Sequence, residues 1–88
     1  MKNKQILGAL AMDLKRVAIG YSRNSIPMVE RFFEEALKRR DEIDTEELKP
    51  YLVKYLNKIE YIKKENNDKA AEDALLYSTL FQNAASVN

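Results

Sequence analysis

The 88-residue chain contains no cysteine and no histidine. Without cysteine it forms no disulfide and offers no thiolate to a metal ion. Without histidine it lacks the commonest metal ligand and the side chain that most often acts as an acid or base near pH 7. We therefore predict a protein with no bound metal, no cofactor and no enzymatic activity. The absence of cysteine suits a reducing compartment, and we predict a cytoplasmic location.

Glycine and proline are scarce, with two residues of each. This leaves little room for long loops, and a chain of this length is expected to form a single helical domain over 1–88. Fifteen basic and 14 acidic residues are mixed along the chain and give a net charge of +1. Such a balance produces no strong field toward nucleic acid or an anionic membrane. The apolar run "ILGALAM" at 6–12 is too short for a membrane span or an ordinary secretory signal.

Apolar residues recur every three or four positions throughout the chain. In the first segment Leu7, Leu10, Leu14, Val17 and Tyr21 form one stripe of a helix. Comparable stripes predict four helices, at about 3–22, 26–41, 45–64 with a kink or break at Pro50, and 67–84. Four amphipathic segments joined by short polar corners favour an all-α fold, a small antiparallel helical bundle.

The first corner, at 20–27, reads "GYSRNSIP". Asn24 or Ser25 is a suitable N-cap for the second helix, and Pro27 fits its first turn. Free N–H groups at a helix start also attract anions, and Arg23 lies beside them. No glycine-rich phosphate loop is present, since Gly20 stands alone. We predict a bend, and the sequence leaves open whether the corner also binds an anion.

The second corner contains Asp44 and Glu47, spaced as in a capping box. Pro50 lies too deep for the first turn of a helix that starts at 45, because its ring would clash with the carbonyl of residue 46. Two arrangements remain open. Either a short turn at 45–49 precedes a helix that begins at Pro50, or one longer helix is kinked there.

The run Lys38-Arg39-Arg40 suggests an alternative function, a small regulator that binds nucleic acid through helix two. Acidic residues flank the run on both sides and cancel much of its field. The exposed side of helix two also carries glutamates, which phosphates repel. Nucleic acid is therefore the disfavoured partner.

Tyrosines are the most abundant aromatic residues. Tyr51 and Tyr55 lie one helical turn apart, and Tyr77 is expected to face them. Such a group either borders the core or lines a pocket for a flat ligand, and the core is the more common arrangement. Asp73 falls within the apolar arc of helix four and, if buried, needs a tyrosine hydroxyl or an arginine as a partner.

Six apolar residues lie off the main stripes, and these are Met12, Ile19, Met28, Val53, Tyr61 and Leu75. A chain this small has a thin core and is often strengthened by a partner subunit. Gly8, Met12 and Ile19 are our candidate interface, because Gly8 permits close helix approach beside two apolar side chains. The sequence thus predicts a non-enzymatic protein-interaction or regulatory module, self-associating as a homodimer or binding another protein.

Overall fold

The computed structural model describes residues 2–86, which form four α-helices and two 3₁₀ segments. The helices are α1 (Lys2–Ser22), α2 (Ile26–Glu42), α3 (Pro50–Lys58) and α4 (Asn67–Ser86), and the 3₁₀ segments are Thr45–Glu47 and Ile59–Lys64. Residues 2–86 contain no β-strand, and packed helices run antiparallel, which confirms the predicted all-α bundle. The predicted domain of 1–88 includes positions 1, 87 and 88, which lie outside the described residues.

Helix α1 lies at the centre of the bundle and packs against both α2 and α4. Its Leu10, Leu14 and Val17 are completely buried. Helices α2 and α4 thus cover two sides of α1, whereas Met12 on its outer side stays 52% exposed.

The chain from α3 through Ile59–Lys64 closes the side of the core between α2 and α4. Its apolar side chains Leu52, Leu56, Ile59 and Ile62 are all buried. An ion pair joins this chain to α2, with Arg40 Nη1 3.1 Å from Glu60 Oε1. These contacts make the third segment part of the core and not an appended arm.

The first corner is a helix C-cap in which Asn24 takes the left-handed conformation, with φ of 54°. The Asn24 N–H donates to the Tyr21 carbonyl, and the Ser25 N–H donates to the Gly20 carbonyl. This pair of bonds is the Schellman motif, and asparagine tolerates the left-handed conformation better than most residues. Ser25 is the N-cap residue of α2 as predicted, but its side chain makes no capping hydrogen bond.

At the second corner a short 3₁₀ turn precedes a helix that begins at Pro50, which confirms one of the two predicted arrangements. Pro50 is the first residue of α3, where its missing N–H removes no helical bond. Asp44 caps the preceding 3₁₀ turn by accepting from the Glu46 N–H at 3.1 Å. The predicted capping box is wrong, because the Glu47 carboxylate accepts from the Asn3 amide at 3.4 Å.

The predicted single helix from the Pro50 break to 64 is also wrong in its second half. The α-helical hydrogen bonds end at Lys58, and Ile59–Lys64 is wound as a 3₁₀ helix. Ile59 and Ile62, three residues apart, are eclipsed in that winding and both enter the core.

Asn3 and Asp13 fix α1 against distant parts of the chain. The Asn3 side-chain amide donates to the Asp44 carbonyl at 2.9 Å, and its oxygen accepts from the Asp44 N–H at 3.0 Å. Asp13 has a side chain only 6% exposed, and its Oδ2 accepts from Arg39 Nε of α2 at 2.8 Å. Arg16 lies 3.9 Å from the other oxygen of Asp13. The buried carboxylate therefore has cationic partners from two helices.

We expect Gly20→Ala to destabilise the fold by about 1 kcal/mol or more, because α1 and α2 approach closely there. A Cβ at Gly20 would lie 2.9 Å from Val29 Cγ2 and 3.1 Å from the Val29 backbone nitrogen, which has little freedom to move. Gly8→Ala is the matched control, since its Cβ would make an ordinary 3.9 Å contact with Ala85. This control should gain roughly 0.5–1 kcal/mol of helix propensity. Urea unfolding of both variants measures the difference, and a Gly20→Ala protein as stable as Gly8→Ala would contradict the close approach.

We expect Arg39→Met to destabilise the fold by about 1–2 kcal/mol, because it leaves the buried Asp13 carboxylate with one distant cation. Adding Asp13→Leu should recover most of that loss, since no buried charge then remains. Unfolding free energies of the two single variants and the double variant test this. Simple additivity of two destabilising substitutions would show that the pair is not coupled.

Candidate functional site

The candidate functional site is the outer surface where α1 and α4 meet. Met12 of α1 and Leu75 of α4 are 52% and 51% exposed and line one groove of about 410 Å³. A second groove of about 350 Å³ continues along the same two helices and is lined by Ile19, Leu75, Lys15 and Glu72 among others. We call this surface the α1–α4 face and define it by Met12, Lys15, Ile19, Glu72 and Leu75.

Small residues between the two helices explain why larger apolar side chains remain outside. Ala11 and Ala74 are buried, and the Ser78 hydroxyl donates to the Ala11 carbonyl at 2.7 Å. Such short side chains let α1 and α4 approach each other closely. The space between the helices is then too narrow for Met12 or Leu75, which lie on its outer border.

The structure brings together two of the three predicted interface residues. Met12 is exposed, and Ile19 is half-buried on the same side of α1, each beside Leu75. Gly8 instead faces Ala85 of α4 within the same chain. Leu75 belongs to this surface because α4 packs beside α1. The sequence already placed Leu75 off the main apolar stripe of its helix. The interface role of these residues stays a prediction.

The border of the α1–α4 face carries exposed charge of both signs. Lys15 and Glu72 are exposed and line the same groove. Within residues 2–86, neither side chain takes part in an ion pair. Arg23 lies at the end of this groove. An apolar centre with a charged rim is the usual composition of a protein–protein interface.

The first corner is a bend, as predicted, and its geometry adds little support for the anion site that the sequence left open. The N–H groups of Arg23, Asn24 and Ser25 all donate to carbonyls of α1. Ser25 also accepts from the Val29 N–H through its carbonyl. The N–H groups of Arg23, Asn24 and Ser25 are therefore used by the bend itself.

The basic run on α2 is neutralised within the chain. Lys38 lies 3.8 Å from Glu34, Arg39 pairs with Asp13, and Arg40 pairs with Asp41 and Glu60. A nucleic acid would have to compete with these carboxylates for each cation. No observation on α2 therefore favours the nucleic-acid alternative, which stays a prediction.

Two of the three predicted tyrosines meet. The ring centroids of Tyr55 and Tyr77 are 5.2 Å apart and the ring planes are inclined by 59°. Tyr51 lies elsewhere, exposed beside the start of α1. The pair borders a cavity of about 490 Å³ whose rim includes Glu65 and Asp73. Asp73 has neither expected partner and instead pairs with Lys69 at 3.2 Å.

Sequence reasoning missed Glu65, which looks like a surface residue in a polar corner. Its Oε1 is buried and has no hydrogen-bond partner in the described part of the chain. Its other oxygen lies 3.8 Å from Lys69 Nζ. Burial, followed by the neighbouring Asp73 carboxylate, raises the pKa of Glu65 above its ordinary value. Burial, followed by the carboxylates of Asp73 and Glu65, also raises the pKa of Tyr77 above its ordinary value.

The titratable groups Glu65, Asp73 and Tyr77 border one cavity. Across residues 2–86, no three acidic, histidine or cysteine side chains converge as metal ligands. Within the same residues, no helix is both long enough and apolar enough to cross a bilayer. No protein-family model, no curated protein and no solved structure matches the chain.

We expect Glu65→Gln to stabilise the fold at pH 7 by about 1 kcal/mol, because it removes a charge whose buried oxygen is unpaired. The folded state raises the pKa of Glu65 above the ordinary 4.5. Proton uptake by Glu65 therefore stabilises the fold fully below pH 4.5, and that contribution is lost as pH rises through the raised pKa. The stability gap between the variant and the parent protein should thus widen from pH 4.5 to 7 in urea unfolding.

Glu30→Gln is the matched control, because it removes an exposed carboxylate. Its stability difference from the parent protein should change little over the same pH range. A constant gap for Glu65→Gln would contradict the inferred environment of this carboxyl.

Proposed function

We propose that this protein is a non-enzymatic interaction module that forms a homodimer through the α1–α4 face. The observation that carries the proposal is the exposure of Met12 and Leu75 side by side, each about half in water. Ile19 extends the apolar surface along α1. Single exposed apolar residues are ordinary, but neighbouring ones on a charged rim favour a covering partner.

The size of the face supports a weak, concentration-dependent dimer. The molecule measures 35 × 19 × 19 Å, and α1 and α4 extend along its length. One such side offers at most about 600 Å² per copy, or about 1,200 Å² in total, at the lower end of specific interfaces. We therefore expect dissociation in the micromolar range.

The chemistry of the chain supports a role without catalysis or cofactors. Histidine and cysteine are absent, so the chain lacks the side chain that most often transfers protons near pH 7 and the thiol nucleophile. The same composition supports a reducing, cytoplasmic setting. A second copy of the chain suits this surface, because the surface carries both a lysine, Lys15, and a glutamate, Glu72.

Sedimentation velocity from about 1 to 100 μM tests the proposal. The parent protein should shift from monomer to dimer across this range. Met12→Lys and Leu75→Lys should each shift the equilibrium to monomer, because burying a lysine at the centre of the interface is unfavourable. Circular dichroism should show unchanged helix content, since both positions are half-exposed in the single chain.

Ile26→Lys is the matched control, because Ile26 is 69% exposed and lies on α2, away from the α1–α4 face. This variant should dimerise like the parent protein. A parent protein that stays monomeric at 100 μM would overturn the homodimer. Equal loss of dimer in the Ile26 variant would place the interface elsewhere.

A further inference from the structure

We infer that the two copies pair with α1 of each lying over α4 of the other, held in register by Lys15 of one copy and Glu72 of its partner. The inference rests on the proposed homodimer and specifies its geometry. A two-fold axis parallel to the helices produces this arrangement, which is isologous and closes after two copies.

The positions of residues along the axes of α1 and α4 support this arrangement. Helices α1 and α4 are antiparallel, with Ala11 hydrogen-bonded to Ser78 and Gly8 facing Ala85. Lys15 consequently lies at about the level of Leu75, one turn from Glu72, and lines the same groove as both. A rotation about an axis parallel to the helices keeps these levels unchanged. It therefore carries Lys15 of one copy to within a side chain's length of Glu72 on the other.

The charges of Lys15 and Glu72 also support this arrangement. Lys15 and Glu72 are exposed and form no ion pair within residues 2–86. In the inferred arrangement two equivalent Lys15–Glu72 pairs flank the apolar centre formed by Met12 and Leu75. A two-fold axis perpendicular to the helices at this level would instead place α1 on α1, with Lys15 against Lys15. Like charges facing each other disfavour that alternative.

Exposed ion pairs contribute little affinity, so these pairs act mainly on orientation. Apolar contact supplies the attraction, whereas the charges decide which of the two packings forms. Charge-reversal variants therefore test which packing forms, whereas sedimentation of the parent protein tests whether a dimer forms at all.

Charge reversal tests the pairing. Lys15→Glu and Glu72→Lys should each raise the dimer dissociation constant about tenfold at low salt, since each places two like-charged pairs in the dimer. The double variant Lys15→Glu/Glu72→Lys should return to within about threefold of the parent protein. Lys54→Glu, an exposed reversal on α3, is the control and should leave the constant unchanged. Single reversals without effect would overturn the inference while leaving the homodimer intact.

Disulfide trapping tests the geometry directly, because the chain has no cysteine of its own. A mixture of the Lys15→Cys protein and the Glu72→Cys protein should oxidise to a cross-linked dimer containing one of each. The Lys15→Cys protein alone should cross-link far more slowly. Faster cross-linking of Lys15→Cys with itself would overturn the inference in favour of α1 on α1. A parent protein that is monomeric in sedimentation would overturn both this geometry and the proposed function.

Discussion

The close packing of α1 against two neighbouring helices is the constraint on which the rest of the structure depends. Small residues make it possible, with Gly20 facing Val29 of α2, and Ala11 facing Ser78 of α4. Large side chains such as Leu10 and Leu14 are then enclosed and fully buried. The same narrow spacing keeps Met12 and Leu75 outside. The core and the candidate interface are thus two results of one packing arrangement.

Features governed by local chemistry could be predicted from the sequence. The spacing of apolar residues is enough to predict all four helices, because a period of about 3.6 residues is characteristic of the α-helix. The break at Pro50 follows from the missing N–H and the ring of proline, and the bend at 20–27 follows from its polar residues. Met12, Ile19 and Leu75 were recognisable as apolar residues away from the main stripes.

Features set by contacts between distant segments could not be predicted. Asp13 and Glu65 look like solvated surface residues, and only the packing of the helices shows that the Asp13 side chain and the Oε1 atom of Glu65 are buried. Glu47 turns away from its expected cap because Asn3, 44 residues earlier, offers a donor. Ile59 and Ile62 fit both an α-helix and a 3₁₀ helix by spacing, so the 3₁₀ winding of Ile59–Lys64 could not be predicted from the sequence. Gly8 was placed in an interface between chains, whereas its neighbour Ala85 belongs to the same chain.

The central position of α1 has a consequence for synthesis on the ribosome. Helix α2 follows α1 directly and can cover one side of it early, but α4 begins only at Asn67. At roughly 5–20 residues per second, the opposite side of α1 stays uncovered for several seconds of translation. During that interval Ala11, Ala18 and the adjacent leucines present an unprotected apolar strip to other nascent polypeptides. Docking of α4 is therefore the step that covers this strip of α1.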